Sequence, residues 1–229
     1  AVDRALDEII QSMPGGGEER PGQRRMTRAV AETVRDEKHL VVQAGTGTGK
    51  TLAYLLPIAM SGKRTVIATF TKALQDQMVD ADLPFLRDYM KHTVSRNFVF
   101  AELKGWSNYL CLERLNQIQF ADSQGQLDGM AEQAPPDELN RILEWSTTTT
   151  TGDKADLNFV PKGPSWRAVS VSSDECLGAT DCPFSPSCFP LEARKRAAEA
   201  DVTVVNHALY ALDLTLGGVL LGDHDVLVL

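Results

Sequence analysis

Hydrophobic positions along the chain follow two patterns, helical spacing and short continuous runs. A first helix is predicted over residues 2–10, because Leu6 and Ile9 fall on one face of it. Short apolar runs, several of them rich in β-branched residues, instead predict buried strands. Such runs lie at residues 39–43, 65–69, 97–103, 202–205 and 226–229.

Helical spacing returns between and after these runs. Further helices are predicted at residues 23–35, 50–60, 72–79, 112–120, 137–145 and 192–200. Pro57 is expected to kink or end the helix that begins at Lys50, because proline has no amide hydrogen and clashes with the preceding turn. The alternation of strands and helices predicts an α/β fold, a parallel sheet with helices on both faces.

Residues 105–190 interrupt this alternation. They contain all four cysteines, all three tryptophans and the pair Pro135-Pro136. We therefore predict that residues 1–104 and 191–229 belong to one α/β domain. Residues 105–190 are predicted to be an insertion with short helices and loops of its own.

Composition narrows the class of protein. The chain has 229 residues, of which 43% are hydrophobic and 24% charged, which is typical of a globular protein with a buried core. No apolar run reaches the roughly 20 residues that cross a bilayer, so no membrane partner is predicted. The acidic start is unlike a secretory signal, and four cysteines are few for a disulfide scaffold, which favours the cytoplasm. A net charge of −8 excludes a protein that coats nucleic acid by bulk charge.

The main candidate site is a glycine-rich loop between a predicted strand and a predicted helix. We expect this loop to bind ATP, with Lys50 reaching the β- and γ-phosphates and the Thr51 hydroxyl binding Mg²⁺. Its glycines let backbone N–H groups surround an anion, and the following helix adds the positive end of its dipole. The alternative is a flexible glycine turn without a ligand. The loop consists of Ala44, Gly45, Thr46, Gly47, Thr48, Gly49, Lys50 and Thr51.

Several segments, in order, resemble one helicase family. Residues 44–51 resemble helicase motif I, and residues 69–77 resemble motif Ia. The segments at 104–111, 176–188 and 204–209 resemble the cysteine-bearing insertion of that family and the strand that follows it. Together they are similar to the DinG/YoaA branch of the XPD-like iron–sulfur DNA helicases, and to the YoaA type most closely.

This resemblance implies a RecA-like domain, a P-loop NTPase sheet interrupted by an inserted iron–sulfur cluster domain. It implies an ATP-dependent 5′-to-3′ helicase acting on single-stranded or forked DNA in repair or replication, with replication or repair proteins as partners. Lys50 and Thr51 match the family's catalytic residues. By position, Arg20 and Gln23 match adenine-side residues. The residues that match the segment meeting the DNA strand are Thr71, Lys72 and Gln75.

The cysteines follow the spacing Cys-x64-Cys-x5-Cys-x5-Cys. Structural zinc usually takes pairs of ligands two to four residues apart, and this spacing has none. Four thiolates can instead hold a [4Fe–4S] cluster, which the resemblance also implies. Zinc and unligated buried thiols remain the alternatives. The predicted ligands are Cys111, Cys176, Cys182 and Cys188.

The ends of the chain suggest a part of a longer protein. The chain begins with Ala1 and ends at Leu229, where the acidic pair of helicase motif II would follow. We therefore expect an N-terminal portion that does not hydrolyse ATP on its own; a complete protein that has lost hydrolysis is the alternative. Two other classes remain: a small-molecule P-loop kinase, and a zinc-stabilised DNA-binding module without catalysis.

Overall fold

The computed structural model describes residues 1–12, 17–18, 20–124 and 134–229, with only the backbone of 72–73 and 121–124. The chain divides into two compact units. The sheet unit comprises Ala1–Leu103 and Arg196–Leu229, and the cysteine unit comprises Lys104–Lys195. No helix within the described residues is long and apolar enough to cross a membrane.

A four-stranded parallel sheet forms the centre of the sheet unit. The strands are β1 (Thr65–Thr69), β2 (Phe100–Glu102), β3 (Val202–Asn206) and β4 (Val226–Val228). Their spatial order is β2-β3-β1-β4. All five residues of β1 are buried, as expected for a parallel sheet covered on both faces. The predicted α/β fold with a parallel sheet is thereby confirmed.

Helices account for much of the remaining chain. In chain order, the α-helices of the described residues are α1 (Val2–Ser12), α2 (Pro21–Asp36), α3 (Lys50–Ser61), α4 (Lys72–Gln77), α5 (Leu83–Tyr89), α6 (Leu112–Gln124), α7 (Pro136–Ser146), α8 (Gly163–Val169), α9 (Gly178–Asp181), α10 (Phe189–Glu199) and α11 (His207–Thr215). Two π-helical turns, Met78–Asp82 and Met90–Val94, extend the run that starts with α4. Short 3-10 turns lie at Trp106–Asn108, Lys154–Asp156 and Ser185–Ser187.

The core of the sheet unit lies between the sheet and its helices. Leu6 and Ile9 of α1 and Leu56 of α3 are completely buried in it, beside Ile67 and Val204 of the central strands. Burying one such side chain contributes about 1.5–3 kcal/mol. The apolar face of α1 that the sequence predicts is therefore part of this core.

The strand predicted at residues 39–43 is wrong. Within the part of the chain that the structure describes, this segment pairs with no strand, and its Val41 side chain is 97% exposed. β-branched residues favour a strand only where a neighbouring strand and a packed face accept them. The segment instead leads into the glycine-rich loop without regular secondary structure.

Pro57 does not end α3, which was one of the two effects predicted for it. The helix continues to Ser61 and stops at Gly62, whose φ of 75° gives a left-handed cap. Leu55 and Leu56 beside the proline are almost completely buried, so the packing of this face outweighs the one backbone hydrogen bond that proline removes.

The cysteine unit has a second hydrophobic core. Leu110, Ile142 and Val169 are buried in it, and the indole of Trp166 donates a hydrogen bond to the Ser107 carbonyl at 2.7 Å. This core shows that the cysteine unit is more than a polar loop.

Candidate functional site

The glycine-rich loop turns sharply into α3. Gly47 and Gly49 have φ values of 73° and 74°, a region that favours glycine. Gly49 is the N-cap of α3, and as a glycine it has no side chain to cap the first amides of the helix. Thr48 closes the loop internally by donating to the Gly45 carbonyl at 3.0 Å. An uncapped helix start below an exposed glycine loop is the arrangement that binds phosphate groups.

Lys50 is folded back into this loop. Its Nζ donates to the carbonyl oxygens of Ala44 at 3.1 Å and Gly45 at 2.6 Å. Thr46, next in the loop, is exposed. The structure therefore brings the only cation of the loop to its concave backbone, where a phosphate chain would be bound.

Thr51 has a neighbour on its own helix. Burial, followed by the charge of Asp82, raises the pKa of Tyr54 well above its usual range, whereas a hydrogen bond with Thr51 acts in the opposite direction. Tyr54 was missed by sequence analysis. Its position three residues after Thr51 on a helix was the available signal.

Helix α2 reaches the loop through its N-cap residue Arg20 and through Gln23. The Arg20 guanidinium donates to the Gly47 carbonyl, and Gln23 Nε2 donates to the Gly49 carbonyl at 3.1 Å. Gln23 is 6% exposed. The structure thus places both predicted adenine-side residues against the backbone of the phosphate loop.

The residues predicted to meet DNA have separate positions on α4. The Thr71 hydroxyl caps the helix by accepting from the Leu74 N–H at 3.3 Å. Gln75 is 3% exposed, and its Nε2 has no hydrogen-bond partner among the described residues. The side chain of Lys72 lies outside what the structure describes. The exposed Thr71 therefore lies at the surface, whereas Gln75 points its amide into the protein.

The four cysteines line one cavity of the cysteine unit. Each is a free thiol of intermediate burial. Trp106, Leu110, Val171 and Phe184 supply part of the apolar wall, and the cysteines in that wall are Cys111, Cys176, Cys182 and Cys188. The structure therefore brings together two segments that lie 64 residues apart in the sequence.

The thiols are close enough to influence each other's protonation. Burial raises the pKa of Cys111 and of Cys188, and the nearby cysteines raise both pKa values further. Across the described ranges, no group of three or more His, Cys, Asp or Glu side chains is arranged to hold a metal ion. A set of four mutually close thiols in a largely apolar cavity still has the donor chemistry of an iron–sulfur or zinc site.

A positive charge lies beside this cavity. Arg194 is half-buried and stands 4.8 Å from the ring centroid of Trp106. Burial lowers the pKa of Arg194, and the neighbouring Cys176 and Cys188 act in the opposite direction. Arg194 therefore supplies, from another helix, a cation next to Trp106, which the sequence alone did not indicate.

The chain has a parallel sheet with flanking helices and a glycine loop into which Lys50 folds back. These two features define the class of protein: it is an α/β protein with a RecA-like fold and a P-loop. Comparison with known proteins narrows it: residues 20–119 match the DEAD/DEAH box helicase family. The chain is 43% identical to the ATP-dependent helicase DinG of Mycobacterium tuberculosis over 93% of this chain and 34% of that protein.

Two other relatives support the same placement. The ATP-dependent DNA helicase YoaA of Escherichia coli is 38% identical over 96% of this chain and 34% of its own length. The 3′-5′ exonuclease DinG of Bacillus subtilis is 32% identical over 92% of this chain and 21% of its own length. The chain contains a DEAD/DEAH box helicase domain and is homologous to DinG and YoaA proteins. The identities do not favour the YoaA type over the DinG type.

The chain spans about a third of the length of the DinG protein from M. tuberculosis and of the E. coli YoaA protein. The activities in the names of these relatives therefore describe proteins that are much longer than this chain.

Proposed function

We propose that this chain is the nucleotide-binding part of an ATP-dependent DNA helicase of the DinG/YoaA type, moving 5′ to 3′ on single-stranded or forked DNA in repair or replication. The observation that carries the proposal is the position of Lys50 inside the glycine loop at the start of α3. The names of the homologous proteins support DNA as the second substrate.

We assign roles in ATP binding to Lys50, to Thr51 and to the backbone amides of the glycine loop. Lys50 exchanges its two carbonyl partners for the β- and γ-phosphates, and the loop amides surround the same oxygens. Thr51 offers its hydroxyl to Mg²⁺, which neutralises charge on the phosphates when bound. Gln23 and Arg20 keep the loop backbone in its open shape through Gly49 and Gly47.

We propose that Cys111, Cys176, Cys182 and Cys188 hold a [4Fe–4S] cluster. Their common cavity and their mutual influence on pKa support this assignment. When bound, the cluster supplies a covalent cross-link between the start and the end of the cysteine unit. The thiols must lose their protons first, so uptake of the cluster is coupled to the folding of this cavity.

We extend the proposal to the domain organisation of the chain. The sheet unit is proposed as the first RecA-like domain, and the cysteine unit as the cluster domain inserted in it. The contact of Thr71, Lys72 and Gln75 with a DNA strand remains part of this proposal; Gln75 would act from within the fold, because its amide is buried.

The test is ATP hydrolysis and unwinding by the protein in which this chain occurs. We expect phosphate release that is stimulated by single-stranded DNA, and unwinding of duplexes with a 5′ overhang. Matched duplexes with a 3′ overhang are the control for direction. Phosphate release stimulated by a small-molecule acceptor instead of DNA would show a kinase.

A further inference from the structure

We propose that the Phe70 ring is a stacking platform for one base of a DNA single strand. This inference rests on the proposed function, because it presumes that the sheet unit binds DNA. It adds Phe70, which lies within the segment that resembles motif Ia but is not one of the three residues matched there to DNA contact.

Phe70 lies at an edge where α/β proteins bind ligands. It follows β1 directly, and the register of the sheet pairs Thr69 with Asn206, the last residues of two adjacent strands. Phe70 and His207 are therefore the next residues on both strands. In open α/β sheets, ligands bind at the carboxyl ends of the strands, which is where these two rings lie.

The Phe70 ring is unusually exposed for its type. Its side chain is 85% exposed, whereas large aromatic side chains are mostly buried. Its neighbour Thr69 is 4% exposed, and Thr71 is committed to capping α4. Phe70 thus lies between the buried end of β1 and the N-cap of α4.

His207 supports one side of this ring. Its Nε2 lies 3.0 Å from the Ala68 carbonyl, which fixes the imidazole. The ring centroids of Phe70 and His207 are 5.9 Å apart with an interplanar angle of 57°. The rings are tilted, so they do not stack face to face, and the large exposed area of Phe70 remains available to a planar partner.

The size of the exposed ring fits a base better than a protein surface. Protein docking surfaces are contiguous apolar patches of several hundred Å², whereas the chain neighbours of Phe70 are the buried Thr69 and the exposed, polar Thr71. A base presents a π-face of similar size to the phenyl ring, and stacking of this kind tolerates every base. It also requires no net positive charge, which suits a chain of net charge −8.

The experiment compares a labelled oligo(dT) with an abasic oligonucleotide of the same length, binding to the 229-residue chain at low salt. Phe70→Ala is expected to weaken oligo(dT) binding about tenfold, the effect typical of one stacked base. Its affinity for the abasic strand should equal that of the unaltered chain. The slope of affinity against salt should also stay the same, since no phosphate contact is removed.

Two further variants exclude indirect effects. Phe70→Trp should retain oligo(dT) binding, and the new tryptophan should be quenched when DNA is added. Phe85→Ala removes a ring that is 38% exposed on α5 and should leave binding unchanged. Thermal unfolding of each variant, followed by circular dichroism, reports on the fold.

The outcomes separate the two proposals. If the unaltered chain binds oligo(dT) and Phe70→Ala binds it equally well, the stacking site is wrong and DNA binding by the sheet unit stands. An equal loss of oligo(dT) and abasic binding in Phe70→Ala would also overturn the stacking site. If the unaltered chain binds neither strand, DNA binding by this part of the helicase is wrong, and the stacking site with it.

Discussion

The side-chain amide of Gln23 donates a hydrogen bond to the carbonyl oxygen of Gly49 across 3.1 Å. The contact crowds position 49: a Cβ atom there would lie 2.2 Å from Gln23 Nε2, so the Gln23 side chain would have to shift. The φ of 74° at Gly49 independently disfavours any other residue. The approach of α2 to the phosphate loop therefore depends on this glycine.

Gly49→Ala is expected to lose most of its ATP affinity. The new methyl group must displace the Gln23 amide, and the left-handed backbone must relax, so the loop amides no longer converge on one anion. Binding of a fluorescent ATP analogue measures the effect. Gly22→Ala is the matched control, because a Cβ at Gly22 meets nothing within 4 Å. Equal ATP affinity in both variants would contradict the role given to Gly49.

Lys50→Ala is expected to reduce DNA-stimulated phosphate release by a hundredfold or more, the typical cost of removing one donor that stabilises the transition state. DNA binding should survive, since the strand contacts lie elsewhere. The measurements are phosphate release and oligonucleotide anisotropy in the protein that contains this chain. Lys63→Ala, which removes a surface pair with Glu37, is the control. Normal turnover in Lys50→Ala would refute the assignment of the loop.

Much of the sheet unit follows from the sequence alone. The run at residues 65–69 is predicted with the bounds that β1 has, because its centre, residues 66–68, is apolar, as expected for a buried strand of a parallel sheet. The exposed run around Val41 also has a short apolar centre with β-branched residues and forms no strand. Local composition cannot tell the two apart, since pairing depends on which strand lies alongside.

The candidate sites also differ in whether local sequence is enough to predict them. The contacts within the phosphate loop follow from adjacent residues, and a motif of adjacent residues captures them. The ring pair of Phe70 and His207 depends on the register between β1 and β3, which are more than a hundred residues apart in the chain. A local pattern does not encode such a register, so sequence analysis assigned no role to Phe70.

The cysteine unit offers a test by metal content. We expect the protein to be brown when purified without oxygen, with about four irons and matching sulfide. Cys182→Ser should lose the colour and the iron and should become protease-sensitive in the cysteine unit, because metal binding is coupled to folding. Ser185→Ala, in the wall of the same cavity, should retain both. Stoichiometric zinc without sulfide would establish a zinc site instead.

The stability of the cysteine unit should depend on the ionisation of Glu138. Hydrogen bonds from the Ser165 hydroxyl and from the Lys162 N–H hold the pKa of Glu138 below its ordinary value of 4.5. Its carboxylate therefore stabilises the fold above that value, and the stabilisation is lost as the pH falls through the lowered pKa.

Glu138→Gln should accordingly be less stable at neutral pH and should lose less stability on acidification than the unaltered chain. Urea unfolding followed by tryptophan fluorescence measures this, because Trp106, Trp145 and Trp166 all lie in the cysteine unit. Glu144→Gln, at an exposed position on the same helix, is the control. An identical acid dependence in Glu138→Gln and the unaltered chain would disprove the linkage.

The strand order β2-β3-β1-β4 has a consequence for how the molecule is made. β1 and β2 are synthesised early, yet neither pairs with the other, because β3 lies between them. In a nascent chain, β1 and β2 therefore stay without their shared partner β3 until the ribosome has synthesised the whole cysteine unit. Contacts of such long sequence separation slow folding and prolong exposure to aggregation. A cysteine unit that folds early on its own core would shorten the effective loop that β3 has to close.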